Sequence, residues 1–344
     1  LVLKKISKTS FSPKSFNNKY GVPLSLFNMK QNDNFGVFEI GMDKRGEINN
    51  LSKIVKPDLG IITNISYAHS KNFKNIRLIA NAKAELMNNI KKNGIIVLNG
   101  DDRFFHYLKG LALKKKLKTI SFAIKNKSSE KKLTNLKKKR NKYELSINVR
   151  DKNVSFYTKN NNKNNLYNIL ATIASLNAFI NIKNLKKDIF LNINTPKGRG
   201  DIFDINFKNK KIYFVDESYN SNPLSLKNSI ENFEKIDLKK SKKHMLLGDM
   251  LELGKHSIKQ HRLISKIINK TKINNVYVIG KYIKETYKGL NPDKKAKILN
   301  NKLDMFKIIK NDFKNGDYLM VKGSHSTGLN KFIIDIKQRR QNVI

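Results

Sequence analysis

The sequence predicts an α/β protein made of two units in series, each built on a mainly parallel sheet. Three observations carry this. Short apolar runs alternate with helix-period segments along the chain, the pattern of repeated strand-helix units. Polar and charged residues gather just past the C-terminal ends of those runs, where open α/β sheets place their ligands. Midway, NTPKGRG (194–200) interrupts the periodicity with clustered Pro and Gly, as a domain junction does.

The elements follow in order. LVLKKISKTS, with Leu1, Val2, Leu3 and Ile6 apolar and Lys4, Lys5 and Lys8 between them, reads as the tail of an amphipathic helix. GVFEIGM (36–42) reads as a buried strand, LGIITNI (59–65) as a second, and GIIVLNGDD (94–102) as a third, with a helix from Ile76 to Lys91. Between Lys125 and Asn165 the alternation in YELSINV and VSFYT predicts a β-hairpin, and the Lys and Asn runs around it read as solvated connections. LYNILATIASLNAFI (166–180) is apolar enough to be a core helix. Beyond the junction, KIYFVDESYN, KHMLLGDM, NNVYVIG and GDYLMVKGS read as strands running into loops. PLSLKNSIENFEKI, IKQHRLISKIINK, LDMFKIIKNDF and a final segment read as helices between and after them.

Composition narrows the class. A chain of 344 residues can hold two domains with proper cores. It has no Cys, which excludes disulfides and thiolate metal sites. No run approaches the roughly 18 apolar residues of a membrane span, and no signal-peptide pattern opens the chain. A cytoplasmic protein is expected. The net charge of +43 invites a nucleic-acid reading, but only nine of the 70 basic residues are Arg. Bidentate phosphate and base recognition favours Arg. The Lys are also spread along the whole chain with a large excess of Asn and Ile, so no specific nucleic-acid partner is expected.

Several segments carry chemistry. Glu39 sits in an otherwise apolar run, where a carboxylate is costly unless paired or bound to a cation such as Mg²⁺, or unless it caps a neighbouring loop. His69 lies in a loop past a strand end, as a structural residue or a ligand. Lys83 stands among Ala residues in IANAKAEL. Such a Lys either snorkels to the surface or, desolvated, becomes nucleophilic and open to carbamylation by CO₂. Asp216 ends a strand and is followed by Asn220, Asn222 and Pro223 at a helix start, either an anion site or an ordinary capping turn. Asp249 and Glu252 repeat that arrangement in LGDMLELG. Lys322, Ser324 and Ser326 surround Gly323 at a strand-to-helix turn.

Taken in order, SFNNKYGVPLSL, EIGM…GEI, PDLGIITNISYAH, IANAKAEL, NGDD, GRG, DESYNSNP, LGDMLELG and VKGSHS resemble the Mur ligases. The resemblance runs from Phe16 to Ser326 and is thinnest between Gly110 and Lys163. It implies a central parallel-sheet ATPase domain over 1–195, followed by a Rossmann-like α/β C-terminal domain over 196–344. The implied activity is an ATP-dependent, ADP-forming ligation in peptidoglycan precursor synthesis. The carboxylate of UDP-N-acetylmuramoyl-tripeptide is phosphorylated, and the amine of D-alanyl-D-alanine attacks the acyl phosphate.

By the same resemblance, Glu39 matches a magnesium carboxylate and His69 a ligand of a second Mg²⁺. Lys83 matches a lysine whose carbamate helps to hold that ion. Asn165 and Asn168 match adenine contacts, Arg199 an ATP-contacting arginine, and Asp216 an acid reaching ribose and phosphate. Asn17 and Asn18 match a pair beside the muramoyl substrate. Asn220, Asn222, Lys322 and Ser324 fall where the family closes over the phosphates and the dipeptide. Lys83, His69 and Lys322 are thus the expected catalytic groups.

Three residues depart from the family pattern: Asn164 for His, Glu217 for Asp, and His325 for an Arg whose guanidinium is the stronger anion clamp. No G-x-x-x-x-G-K-[ST] occurs. The expectation is that the first strand, the P-loop and a UDP-binding N-terminal domain are missing ahead of Leu1, leaving an inactive fragment of a monomeric enzyme. The alternatives are another ligase of the superfamily, such as a folylpolyglutamate synthase, or a non-catalytic basic binding protein.

Overall fold

A computed structural model of the chain describes residues 1–68, 70–149, 152–193, 197–207, 209–238 and 241–341. The chain divides into two compact units. One is Leu1–Ile65 with Asn72–Asn194, and the other is Ser66–Lys71 with Thr195–Ile344. Each is α/β with a parallel-dominated sheet. The junction expected at 194–200 falls partly on residues 194–196, outside the described ones.

The first unit contains β1 (Thr9–Phe11), α1 (Gly21–Phe27), β2 (Phe35–Val37), α2 (Glu47–Val55), β3 (Leu59–Ile62), α3 (Ile76–Ala84) and β4 (Ile95–Asn99). It continues with α4 (Phe105–Lys114), β5 (Lys118–Ala123), β6 (Lys131–Lys139), β7 (Lys142–Val149), β8 (Lys152–Thr158) and α5 (Lys163–Leu176). Strands β3 to β8 pair in sequential order, parallel from β3 through β6 and antiparallel from β6 through β8. Helix α5 starts at Asn162, whose side chain accepts the Asn165 N–H as an N-cap. Leu166, Ile169, Leu170, Ile173 and Ala174 recur at helical spacing and form one face. That face joins Val97, Phe122, Leu145, Ile147 and Phe156 in one core.

Three segments differ from expectation. KKLTNLKKK, expected to be a solvated connection, is strand β6, because it completes ladders with β5 and β7 and turns Leu133 and Leu136 toward the core. GVFEIGM, expected to be a buried strand, keeps strand geometry only to Val37, and its ladder is with β1 in a two-stranded sheet. Past Ser12 N–H to Val37 O, the backbone N–H of Glu39 turns to the Ser12 hydroxyl instead of a neighbouring strand, so Val37 and Glu39 are exposed. The opening residues form a 3₁₀ turn over Leu3–Lys5, too short for an amphipathic face, from which Val2 alone is fully buried in the core.

The second unit contains β9 (Asp201–Phe207), β10 (Lys210–Asp216), α6 (Pro223–Glu234), β11 (Lys243–Gly248), α7 (Ser257–Ile268) and β12 (Asn275–Ile279). After these come α8 (Lys284–Lys288), β13 (Lys295–Leu299), α9 (Lys302–Asp312), β14 (Tyr318–Lys322) and α10 (Leu329–Gln341). The sheet order is β13-β12-β11-β14-β10-β9, parallel except for β9.

Side chains of a strand alternate between faces, and here both faces are covered. Phe214, Leu246, Tyr277 and Leu319 pack with α9 and α10, while Val215, Met245, Leu247, Val278 and Met320 pack with α6 and α7. Double coverage is why these strands read as unbroken apolar runs. Among the described residues no helix is long and apolar enough to cross a membrane.

Candidate active site

In the first unit the chemistry gathers at the C-terminal ends of β3 and β4. Lys83, near the end of α3, is partly buried and donates to the carbonyl of Asn64 at 3.1 Å. Burial pushes its pKa down, and the Asp102 carboxylate opposes that shift. Asp102 accepts from Ile65 N–H at 2.7 Å and from Phe104 N–H at 2.8 Å. Asn99 donates to the carbonyl of Thr63 at 3.0 Å. Residues 63–65 are therefore pinned at three successive positions, by Asn99, Lys83 and Asp102. Asp102 is a residue that sequence reasoning missed: NGDD stands out as a motif, but only the charge placed just past a buried strand hints at a role for it.

Glu39 is exposed, and its Oε1 accepts from the Asn17 side chain at 2.8 Å. Asn17 also accepts Gly41 N–H on its carbonyl at 2.7 Å, which sets it beside the Glu39 loop. Asn18 acts locally, its side-chain oxygen accepting from Tyr20 and Gly21 N–H at the start of α1. His69 lies outside the described residues.

A magnesium ion is compatible with this donor set in one way. Among the described residues no three His, Cys, Asp or Glu gather into a metal cage. A single exposed carboxylate such as Glu39 suits Mg²⁺, which keeps several waters and takes phosphate oxygens from its substrate.

On α5, Asn165 donates to Thr158 Oγ1 at 3.1 Å and to the Asn160 carbonyl at 2.6 Å, tying the helix start to the end of β8. Asn168, one turn on along the same face, is exposed. Tyr167 between them donates its hydroxyl to Asp101 at 2.8 Å.

In the second unit, loops from three neighbouring strand ends are tied together. Ser324 N–H donates to the Asp249 carbonyl at 2.9 Å, its hydroxyl donates to the Ser221 carbonyl at 3.2 Å, and that hydroxyl accepts Leu251 N–H at 2.8 Å. Lys322 is 3% exposed and donates to the carbonyls of Asn220 at 2.9 Å and Glu217 at 3.4 Å, with Glu217 Oε2 at 3.6 Å. Burial lowers the Lys322 pKa against the attraction of Glu217, and burial raises that of Glu217.

Asp216 is also buried. It accepts from the Ser218 hydroxyl at 2.6 Å on one oxygen and from Lys337 at 3.0 Å on the other. Asn222 caps α6 through a reciprocal box with Ser225, and Pro223 at the first helical position lacks an N–H. Most of the donors that would make this helix start an anion site are thereby used. Asp249, similarly, accepts Lys281 and Ile283 N–H at 2.9 and 2.7 Å.

Arg199 is different. Gly198 and Gly200 flank it at φ +79° and +95°. Gly198 accepts Tyr219 N–H at 3.1 Å, and Gly200 N–H donates to the Asp216 carbonyl at 2.8 Å. The exposed guanidinium stacks 4.4 Å from the Tyr219 ring centroid. Tyr219, which no sequence signal singles out, thus aims the one exposed guanidinium of the GRG turn. His325, the expected weaker clamp, is exposed and its Nε2 pairs with the Asn330 amide at 3.0 Å.

Residues 2–176 match the Mur ligase middle domain, and residues 201–325 match the Mur ligase glutamate ligase domain. The UDP-N-acetylmuramoyl-tripeptide–D-alanyl-D-alanine ligase of Buchnera aphidicola subsp. Acyrthosiphon pisum is 30% identical over 350 residues, covering 97% of this chain and 72% of its own length. The ligase of the same name from Rickettsia prowazekii is 28% identical over 323 residues, covering 93% and 70%. The solved MurF ligase from Thermotoga maritima in complex with ADP has the same fold, with a TM-score of 0.84 at 21% identity over 100% of this chain and 76% of its own.

Proposed function

This chain belongs to the Mur ligase family and is of the MurF type, and from that premise we propose its reaction as the joining of D-alanyl-D-alanine to UDP-N-acetylmuramoyl-tripeptide with conversion of ATP to ADP and phosphate. The carrying observation is similarity along nearly the whole chain to ligases of that specificity. Transfer of the γ-phosphoryl group to the tripeptide carboxylate releases ADP and leaves an acyl phosphate. The dipeptide amine then attacks the acyl carbon, the C–O bond to phosphate breaks, and the amine gives up its proton as phosphate leaves.

Within this reading the residues divide by exposure. Glu39, its carboxylate oriented by Asn17, would hold Mg²⁺, which when bound would supply charge screening between the tripeptide carboxylate and the γ-phosphate. Arg199 offers a planar cation to the nucleotide phosphates. Asn168 presents its exposed amide to adenine, and Asn165, whose NH2 is used at the helix start, offers its side-chain carbonyl. Lys83 meets the requirement for carbamylation: a depressed pKa raises the neutral amine, which forms an N–C bond to CO₂ and loses its proton to solvent. By the family resemblance, that carbamate together with His69 would hold a second ion. Lys322, Ser324, Asp216 and Asn222 hold the loops that approach the dipeptide, with Asn220 exposed at their edge.

The test is ADP release by the full-length protein, supplied with the muramoyl-tripeptide and either D-alanyl-D-alanine or single amino acids. The dipeptide is expected to support turnover. A preference for a single amino acid would move the chain to another ligase of the superfamily, and no ADP release with any acceptor would leave only a binding role.

A further inference from the structure

In the turn just past strand β4, two adjacent carboxylates diverge. Asp101 accepts Ile124 N–H at 2.7 Å, Lys125 N–H at 3.0 Å, Asn126 N–H at 2.7 Å and the Tyr167 hydroxyl at 2.8 Å. Asp102 accepts Ile65 and Phe104 N–H, and its charge acts on Lys83, which in turn donates to Asn64 O. Neither carboxylate is left unsatisfied, as burial beside a core requires. One reaches α5 and the other reaches the loop at residues 63–65.

Helix α5 is tied at its first turn by Asn165, which donates to Thr158 and Asn160, and beyond that turn it lies on the sheet through aliphatic contacts of Leu166, Ile169, Leu170 and Ile173. Such contacts are non-directional and tolerate small slides and rotations. A hydrogen bond is directional. The Tyr167 bond therefore adds a directional tie further along, at the turn that presents Asn168, where Asn165 no longer holds the helix. The Tyr167 ring meets Phe122 edge-on at 6.5 Å, and its phenol is pushed above its ordinary range by burial and by Asp101, so it remains the donor.

We propose that Asp101 and Asp102 are paired positioning residues, Asp101 setting the register of α5 through Tyr167 and Asp102 setting the loop that anchors Lys83. The inference rests on the nucleotide reading of Asn165 and Asn168. It separates two effects: loss of the Asp101 arm alters nucleotide affinity, and loss of the Asp102 arm alters turnover.

The experiment compares Tyr167→Phe, Asp102→Asn, Asn168→Ala and the control Tyr277→Phe in the full-length protein, measuring ADP affinity by titration, steady-state kinetics and melting temperature. Tyr277 makes a comparable part-buried bond to Asp312 at 3.1 Å in the second unit, so its variant reports simple loss of such a bond. Tyr167→Phe is expected to weaken ADP binding about fivefold with kcat at saturating ATP unchanged, while Tyr277→Phe lowers the melting temperature alone. Asp102→Asn is expected to lower kcat about tenfold with ADP affinity unchanged. It also speeds hydrogen exchange at the Ile65 amide, whose acceptor it weakens. If Asp102→Asn folds poorly, Asn99→Ala, which frees the Thr63 carbonyl, reads the same arm.

If Asn168→Ala weakens ADP but Tyr167→Phe behaves like Tyr277→Phe, the positioning proposal alone fails. If Asn168→Ala has no effect on ADP, the nucleotide reading of α5 fails and takes the proposal with it. If the Asp102 arm changes ADP affinity and leaves kcat intact, the assignment of the two arms is overturned.

Discussion

The buried ammonium of Lys322 donates to the backbone carbonyl of Asn220 at 2.9 Å, across 102 residues of sequence. A group that its motif places over the phosphates is, in the folded chain, a strut beneath the loop that carries Glu217 and Asn220. Lys322→Met would leave Glu217 and two carbonyls facing an apolar stem. Removing one partner of a buried charged pair costs about 3 kcal/mol, so a clear fall in melting temperature accompanies any loss of activity. Calorimetry on the purified variant decides this: an unchanged melting temperature with lost turnover would restore Lys322 to direct contact with substrate.

Glu39 makes the opposite prediction. Its carboxylate is exposed and its one described hydrogen bond is to Asn17. Glu39→Gln keeps that acceptor but removes the charge. Folding is expected to be unaffected, while the Mg²⁺ concentration for half-maximal ADP release rises about tenfold. A magnesium titration of the variant showing the parent midpoint would remove Glu39 from the ion.

Two buried histidines, His244 and His261, are expected to weaken the fold as the pH falls. His244 faces Asp317 through Nε2 at 3.1 Å and Asn275 through Nδ1 at 3.2 Å; the Asn275 amide donates, so Nδ1 is the bare nitrogen. His261 accepts Met250 N–H on Nε2 at 3.0 Å and donates from Nδ1 to the Ser257 carbonyl at 2.8 Å. Protonating either ring puts a proton against an N–H donor.

Burial is the largest cause lowering both pKa values, opposed at His244 by Asp317 and Asp312, with Lys242 adding to the fall, and opposed at His261 by Ser257, Asp249 and Glu285. The folded pKa lies below the unfolded one, near 6.5. The unfolded chain then binds more protons as pH falls through that range. Stability is therefore full above about pH 6.5 and declines below it toward the depressed folded values. Urea midpoints at pH 7.5 and 5.5 measure it. A midpoint that holds or rises at the lower pH contradicts the assignment.

Gly280 has φ +136°, and a Cβ there would lie 2.6 Å from the Asp249 carboxylate. That carboxylate is already committed to Lys281 and Ile283 N–H. Gly280→Ala combines backbone strain with a clash against a fixed group, and is expected to cost about 2 kcal/mol. Chemical denaturation of the variant checks it; a loss under about 0.5 kcal/mol, the range of neutral surface changes, means the loop gives way freely.

Much of the fold is legible from pattern. KHMLLG is buried at every position because helices cover both faces of β11, and an unbroken apolar run is how such a strand reads. Helix α5 is visible because Leu166, Ile169, Leu170 and Ile173 repeat at helical spacing. KKLTNLKKK is not, since its Lys-rich composition masks a strand whose pairing partners lie in β5 and β7. GVFEIGM misleads the other way: apolar composition argues for burial, but a ladder with β1 alone leaves Val37 45% exposed.

The order and type of residues, from the paired Asn17 and Asn18 to VKGSHS, were enough to place the chain among the Mur ligases, because family and fold class are written in local periodicity and in residue identity at strand ends. Residue type could not say which of those polar groups reach outward. Asp216, Asn222, Lys322 and Ser324 stand in the expected motifs with the expected chemistry, yet their hydrogen bonds go to a serine, a helix start and the carbonyls of neighbouring loops. Glu39 and Arg199 stand exposed. Burial and long-range partners decide whether a polar side chain is spent on its own fold or offered to a ligand, and those are properties of the packed chain alone.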